Sequence, residues 1–230
     1  MTDPVPVTLL TGFLGAGKTT LLNRMLDQGA LKDAALVINE FGDVGIDHLL
    51  VESADEGIVE LSDGCLCCTI RGDLVDTLMR LLERNPLPAR IVIETTGLAD
   101  PAPILHAIMG HPVLSDALRL DGVVTLVDAV NGMDTLDAQI EAVKQVAVAD
   151  RLVLTKGDLA ADVGPLTERL ARLNANAPLV PARQANAERL FNCGLWNPAT
   201  KTADVARWLG EAAHQHDHHL HWPHTAHRLH

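Results

Sequence analysis

The chain has 230 residues, 47% hydrophobic and 21% charged, a balance typical of a globular domain and not of a disordered segment. Its net charge of -12 argues against a nucleic-acid surface, which would be basic. No apolar run is long enough to cross a membrane, and no signal-peptide pattern opens the chain, so we expect a cytoplasmic protein with no membrane partner.

A short apolar strand, a glycine-rich loop and the start of a helix come first. Residues 5–10 have the strand pattern, residues 12–19 fit G-x-x-x-x-G-K-[ST] at every position, and helical spacing follows at residues 20–26. Such glycines let backbone amides approach a phosphate, and the helix dipole strengthens this anion cradle. Lys18 adds a positive charge, and the Thr19 hydroxyl suits Mg²⁺. The predicted phosphate-binding residues are Gly12, Gly15, Ala16, Gly17, Lys18, Thr19 and Thr20.

A second strand pattern at residues 34–38 runs into an acidic, glycine-punctuated loop at residues 39–47. Carboxylates placed after a strand suit a nucleotide-sensing segment, in which Glu40 could reach Mg²⁺ and Asp43 or Asp47 could serve a metal or a water. An ordinary acidic surface loop is the alternative.

Three of the four cysteines follow a short strand pattern at residues 58–61. Cys65, Cys67 and Cys68 are soft donors when ionised, and favour zinc, Cu(I) or similar ions. A structural zinc site usually has two separated ligand pairs, whereas three local thiolates leave an exchangeable fourth position, as metal delivery requires. A redox dithiol or inert cysteines are the alternatives. Cys193 stands alone and is predicted to be a packed or idle thiol.

A helix is predicted over residues 73–84, and a buried strand over residues 91–94 ends on Glu94. A carboxylate at that end of a strand is what places an acid beside Mg²⁺ in P-loop enzymes. Gly97 would give a flexible turn beside the γ-phosphate. The alternative is a strand that merely ends on a glutamate.

The later pattern alternates helices and strands. A helix starts at Pro101, a strand over residues 122–127 ends on Asp128, and one helix covers residues 134–148. Further predicted elements are a strand at residues 151–154, a short strand at residues 178–181 and a final helix around residues 205–210.

The strand at residues 151–154 leads into Thr155-Lys156-Gly157-Asp158, which is similar to the N-K-x-D motif of guanine-nucleotide proteins. There the aspartate accepts hydrogen bonds from guanine, and the lysine stem packs on the ring. Thr155, Lys156 and Asp158 are therefore predicted to bind the base, although threonine replaces the usual asparagine. A chance charged turn is the alternative.

Composition changes abruptly near the end of the chain, because most of the eleven histidines follow Ala213. Interspersed histidines are typical of a loose metal-collecting tract, and an idle polar linker is the alternative. The sequence thus divides into a P-loop domain at residues 1–212 and a His-rich tail or truncated linker at residues 213–230.

Taken together, the motifs resemble those of the CobW-type P-loop GTPases, relatives of the urease and hydrogenase nickel-insertion GTPases. The resemblance covers about residues 5–210. It is carried by residues 11–20, Asn39-Glu40-Phe41-Gly42, Gly64-Cys65-Leu66-Cys67-Cys68, Glu94-Thr95-Thr96-Gly97 and Thr155-Lys156-Gly157-Asp158. Family members usually carry a further C-terminal domain after a His-rich linker, and this chain stops inside such a linker.

The resemblance implies a doubly wound α/β domain with a mainly parallel sheet, and GTP hydrolysed slowly to GDP and phosphate. It also implies that a transition metal is handled for an apo-metalloprotein client or a corrin-pathway enzyme. GTP, Mg²⁺ and Zn²⁺, or Co²⁺ or Ni²⁺ in place of zinc, are the expected cofactors. Expected catalytic residues are Lys18, Glu40 and Glu94; expected metal ligands are Thr19, Glu40, Glu94, Cys65, Cys67 and Cys68.

Two other classes of protein fit parts of the pattern. One is a metal-independent P-loop phosphotransferase, and the other is a zinc-buffering protein with a regulatory nucleotide site. The oligomeric state is left open by the sequence.

Overall fold

The computed structural model describes residues 3–38, 58–60 and 69–193, with the backbone alone at residues 58–60 and 69–73. The strands are β1 Val5–Gly12, β2 Ala34–Ile38, β3 Ile58–Glu60, β4 Arg90–Glu94, β5 Leu118–Asp128, β6 Arg151–Thr155 and β7 Leu179–Pro181. They form a seven-stranded sheet in the order β3-β2-β4-β1-β5-β6-β7, and all neighbouring pairs are parallel. Strands buried on both faces explain the nearly continuous apolar runs in the sequence.

The helices lie on both faces of this sheet. They are α1 Lys18–Asp27, α2 Thr69–Leu82, α3 Ala102–Gly110, α4 Pro112–Ala117, α5 Gly132–Ala138, α6 Ile140–Val148, α7 Gly164–Leu173 and α8 Ala187–Leu190. Alternate strand residues point to opposite faces, so Leu9 and Ile93 pack with α2 and α3, whereas Leu10 and Val92 pack with α1. The predicted doubly wound α/β fold is confirmed.

β1 lies between β4 and β5. The strands β2, β3 and β4 lie on one side of β1, and the later strands β5, β6 and β7 lie on the other, so the direction of winding reverses at β1. Ligands of such sheets bind beyond the carboxyl ends of the strands where this reversal occurs. The loop that follows β1 therefore lies at the expected binding edge. Within the described ranges, no helix combines the length and the hydropathy that crossing a membrane would need.

The single helix predicted over residues 134–148 is wrong, because α5 and α6 are separated by an extended Gln139 with φ -129° and ψ 113°. A continuous helix would place Leu136 and Ile140 on one face, yet Ile140 is 60% exposed. The break reorients α6, so that Ala142, Gln145 and Val146 face the core at i, i+3 and i+4. Three helices that the sequence analysis did not name, α4, α7 and α8, are also present.

Cys193 lies at the opposite edge of the sheet from the P-loop and is packed, as predicted. A Cβ added to Gly122 would lie 2.8 Å from the Cβ of Cys193, and the Cys193 thiol donates to Leu190 O. Burial raises the pKa of the Cys193 thiol, which therefore stays protonated near neutral pH. Beside it, the buried Asp121 carboxylate accepts from Arg90 at 2.6 Å and from Asn192 N at 2.8 Å, and the second bond fixes this end of the described chain.

Candidate functional site

The loop between β1 and α1 has backbone angles that require glycine. Gly15 and Gly17 have φ of 70° and 90°. Gly12 has φ 142°, and a Cβ there would lie 2.6 Å from Leu126 O. The end of β1 therefore lies too close to β5 for a side chain at residue 12. The loop then leads into α1, whose N-terminus no side chain caps. Uncapped amides at a helix N-terminus are well suited to bind an anion.

Lys18 folds back into this loop. Its Nζ donates to Gly12 O at 2.9 Å and to Phe13 O at 3.4 Å, and the residue is only 9% exposed. The ammonium is thus held beside the loop amides, where it adds a full positive charge to the cradle.

Thr19 and Glu94, which the sequence predicts to share Mg²⁺, lie side by side. Parallel pairing places Glu94 opposite Leu10 of β1, and Thr19 Oγ1 donates to Glu94 Oε1 at 3.2 Å. Both residues line a cavity of about 330 Å³ at the carboxyl edge of the sheet. Its other lining residues are Leu14, Gly15, Gly17, Lys18, Thr20, Thr95, Thr96 and Gly97.

The segment after Glu94 is seated on the P-loop. Thr95 Oγ1 donates to Thr11 Oγ1 at 2.8 Å, which ties the end of β4 to the end of β1. A Cβ added to Gly97 would lie 2.4 Å from Leu14 N. This approach leaves no room for a side chain, so Gly97 is required for close packing against the loop.

The predicted base-binding residues lie on the other side of the P-loop. The Thr155 hydroxyl donates to Ala16 O at 2.9 Å and to Val127 O at 3.2 Å, and so joins the base motif to the phosphate loop. Lys156, at φ 55°, forms an ion pair with Asp128 at 2.7 Å. Asp158 is exposed in the turn that follows.

Thr155→Val is expected to destabilise the fold by about 1–2 kcal/mol and to weaken nucleotide binding, because the buried carbonyls of Ala16 and Val127 lose the hydroxyl donor that they share. Denaturant unfolding and nucleotide titration measure both effects. Thr135→Val is the matched control, because the Thr135 hydroxyl bonds only Asn131 O among the described residues, within one exposed helical turn. Equal losses in the two variants would contradict a bridging role for Thr155.

Asp128 has a role that the sequence analysis missed. Burial acts to raise the pKa of its carboxyl, but hydrogen bonds from Lys156, Val130 N–H and Asn131 outweigh burial and hold that pKa below its usual value of 3.8. The ionised carboxylate therefore fixes Lys156 at the base edge. The position of Asp128 at the end of a predicted strand was the feature of the sequence from which this role could have been inferred.

A pH effect follows from this depressed pKa. The ionised Asp128 stabilises the fold above its unfolded-state pKa, and this contribution is lost as the pH falls through the lower folded-state value. Asp128→Asn should therefore be less stable than wild type by about 1–3 kcal/mol near neutral pH, with a smaller difference near about pH 3. Urea unfolding at both pH values measures this difference, and a constant difference would be contrary evidence.

Other predicted site residues lie outside the described ranges, namely Glu40, Cys65, Cys67, Cys68 and the His-rich tail. Within residues 3–38, 58–60 and 69–193, no group of three His, Cys, Asp or Glu side chains is placed to hold a metal ion. The transition-metal site therefore stays a prediction about the cysteine motif.

Comparison with known proteins matches residues 6–181 to the family described as the CobW/HypB/UreG nucleotide-binding domain. The zinc chaperone YjiA of Escherichia coli K12 is 45% identical over 196 residues, which are 83% of this chain and 62% of YjiA. Zinc-regulated GTPase metalloprotein activator 1 of Schizosaccharomyces pombe is 36% identical over 187 residues, 77% of this chain and 46% of that protein. The chain thus spans less than two thirds of the length of either relative.

Among solved structures, the Zn(II)-bound YjiA GTPase from E. coli superposes with a TM-score of 0.63 at 35% identity. The match covers 85% of this chain and 64% of that one. The parallel sheet and P-loop described above are therefore shared with a structurally known GTPase.

Proposed function

The chain belongs to the CobW/HypB/UreG nucleotide-binding family, and we propose that it is a GTP-hydrolysing metallochaperone that delivers zinc to a client protein. The observation that carries the nucleotide part is the cavity in which the P-loop, Lys18 and the Thr19–Glu94 pair converge. The zinc part is supported by the names of the relatives, a zinc chaperone and a zinc-regulated GTPase, and by the cysteine motif.

Mg²⁺ fits the donor set of this cavity. A hydroxyl and a carboxylate are the hard oxygen ligands that Mg²⁺ prefers, and Thr19 and Glu94 present both at one point of the wall. The ion would be held, directly or through water, by Thr19, by Glu94 and by Glu40, which follows β2 in the sequence. When bound, Mg²⁺ neutralises negative charge on the outer phosphates.

The residues of the chain supply positioning and charge. The amides of the loop and of the α1 N-terminus bind the phosphates, and Lys18 compensates the charge that builds up as the γ-phosphate leaves. Water is the proposed acceptor, and turnover without a partner should be slow. Asp158 would accept from guanine, while the Lys156 stem, held by Asp128, packs on the ring.

Zinc is the proposed cargo. Cys65, Cys67 and Cys68 bind it as thiolates, so that loading releases protons and leaves a fourth position for exchange. Cobalt or nickel is the alternative cargo, because three thiolates accept each of these ions. An apo-metalloprotein or a corrin-pathway enzyme is the proposed recipient.

Nucleotide and metal would be coupled through the sheet edge. The register pairs Glu60 of β3 with Ile38, and Ile38 with Glu94, so β3 ends at the same edge as the cavity. The three cysteines follow β3 in sequence and precede α2. Contacts to the γ-phosphate would rearrange this region and change metal affinity, and the coupling must be reciprocal.

Phosphate release from GTP and ATP, measured with Mg²⁺ and no added acceptor, tests the proposal. We expect slow release from GTP that exceeds release from ATP. Release only on addition of an organic acceptor would favour a phosphotransferase. Zinc binding without hydrolysis, lost when residues after Ala213 are removed, would favour a zinc buffer.

A further inference from the structure

Gln145 on α6 is a buried residue that contacts the segment behind Glu94. Its Nε2 donates to Gly97 O at 3.2 Å and to Ala99 O at 3.0 Å, and the residue is 1% exposed. One amide group thus donates to two carbonyls of this segment. Because Gly97 also presses on Leu14, the segment is held between α6 and the P-loop.

α6 is itself fixed to its neighbours. The Thr125 hydroxyl of β5 donates to the backbone carbonyl of Gln145 at 2.7 Å. At the C-terminal end of α6, Asn174 Nδ2 donates to Val146 O and Ala149 O, each at 2.9 Å. The Gln145 amide is therefore presented from a rigid helix, and not from a loop.

The next residue contacts the far end of the same segment. Lys144 Nζ pairs with Asp100 at 2.7 Å, and Asp100 Oδ1 accepts from Ala102 N at the start of α3. Two consecutive side chains of α6 therefore hold residues 97–100. Lys144 and Asp100 are about a third exposed, so solvent screens their ion pair more than the buried Gln145 contacts.

The orientation of the Gln145 amide favours its donors. Its Oε1 has no hydrogen-bond partner among the described residues, and Gln145 is one of the residues lining a cavity of about 30 Å³ between α5, α6 and the P-loop. A buried acceptor without a partner costs stability, unless a water molecule fills the cavity. The amide thus keeps both hydrogen bonds to Gly97 O and Ala99 O, while its own Oε1 has no partner among the described residues.

We propose that Gln145 is a positioning residue for γ-phosphate hydrolysis, which it serves by holding Gly97 and Ala99 in place beside the nucleotide cavity. This inference rests on the proposed GTP hydrolysis. Thr95, Thr96 and Gly97 line the cavity with Lys18 and Thr19. The loop amides, Lys18 and the base motif would bind GDP and GTP alike, whereas hydrolysis of the third phosphate would also need the segment in place. Gln145 therefore acts on turnover and not on GDP binding.

Gln145→Met, which keeps the length of the side chain and removes both donors, tests the inference in the full chain. We expect kcat for GTP to fall by about 10- to 100-fold, with GDP affinity and KM changed by less than about threefold. Gln139→Met is the matched control, because Gln139 is the partly exposed residue that precedes α6. Thermal unfolding checks that each variant is folded.

Gln145→Glu gives a second measurement that a merely structural role would not reproduce. Its carboxylate has no donor at high pH, but its protonated form regains one bond to the segment, and burial raises the pKa of such a group. Its kcat relative to wild type should therefore rise as the pH is lowered. A flat ratio together with wild-type kcat in Gln145→Met would overturn the inference. A parallel loss of GDP affinity would do the same, whereas absence of turnover in wild type itself would overturn the proposed function.

Discussion

Lys18→Ala is expected to lower GTP turnover by about 10²- to 10³-fold, the largest effect of any single substitution considered for this protein. Lys18 is the one cationic side chain that the structure places among the residues lining the nucleotide cavity within the described part of the chain. Its Nζ lies 2.9 Å from Gly12 O, inside the loop that would surround the phosphates. Without the Lys18 ammonium, only the loop amides and Mg²⁺ would compensate the negative charge of the γ-phosphate. Steady-state phosphate release measures the loss.

Lys32→Ala is the control for this change, because Lys32 is exposed in the turn that precedes β2 and lies outside the cavity. It should turn over GTP at the wild-type rate. If Lys18→Ala retained wild-type turnover while remaining folded, the P-loop would not be the hydrolytic site.

Gly97→Ala is expected to lower turnover by about 100-fold, because the new methyl group would overlap the P-loop backbone. A Cβ at residue 97 would lie 2.4 Å from Leu14 N and 2.7 Å from Leu14 Cα. Neither backbone atom can rotate away, so the segment after Glu94 must shift and lose its contacts with Gln145. We also expect a loss of about 1–3 kcal/mol in the free energy of unfolding.

Gly110→Ala provides the matched glycine control, because nothing lies within 4 Å of the Cβ it would gain at the end of α3. It should retain wild-type turnover and should not be destabilised, since alanine favours a helix. Equal kinetics in the two variants would mean that the close approach of Gly97 to the P-loop has no part in hydrolysis.

Local patterns were sufficient to predict the elements that build the site. The apolar runs of β1 and β4 and the P-loop spacing are properties of short segments, and parallel pairing then places Glu94 beside Thr19. The break at Gln139 was not predictable in this way, because it depends on which face of α6 meets the sheet. Local periodicity alone favours one continuous helix.

Long-range polar contacts were not predictable from the sequence either. Thr155 replaces the usual asparagine of the base motif, yet its hydroxyl bonds Ala16 O across 139 residues. In the sequence, Gln145 is one polar residue of an amphipathic helix. Only the fold shows that its amide donates to Gly97 O and Ala99 O. Such roles depend on tertiary positions that residue spacing does not encode.

Nucleotide state is proposed to control metal binding at the cysteine motif. The most direct test is zinc affinity, measured by competition with a chelator, in the presence of GDP and of a non-hydrolysable GTP analogue. Wild type should show affinities that differ about 5- to 150-fold between the two nucleotides, and zinc should change analogue affinity by the same factor. In Cys67→Ser this difference should disappear while the analogue still binds. Equal zinc affinity of wild type in the two nucleotide states would contradict the account.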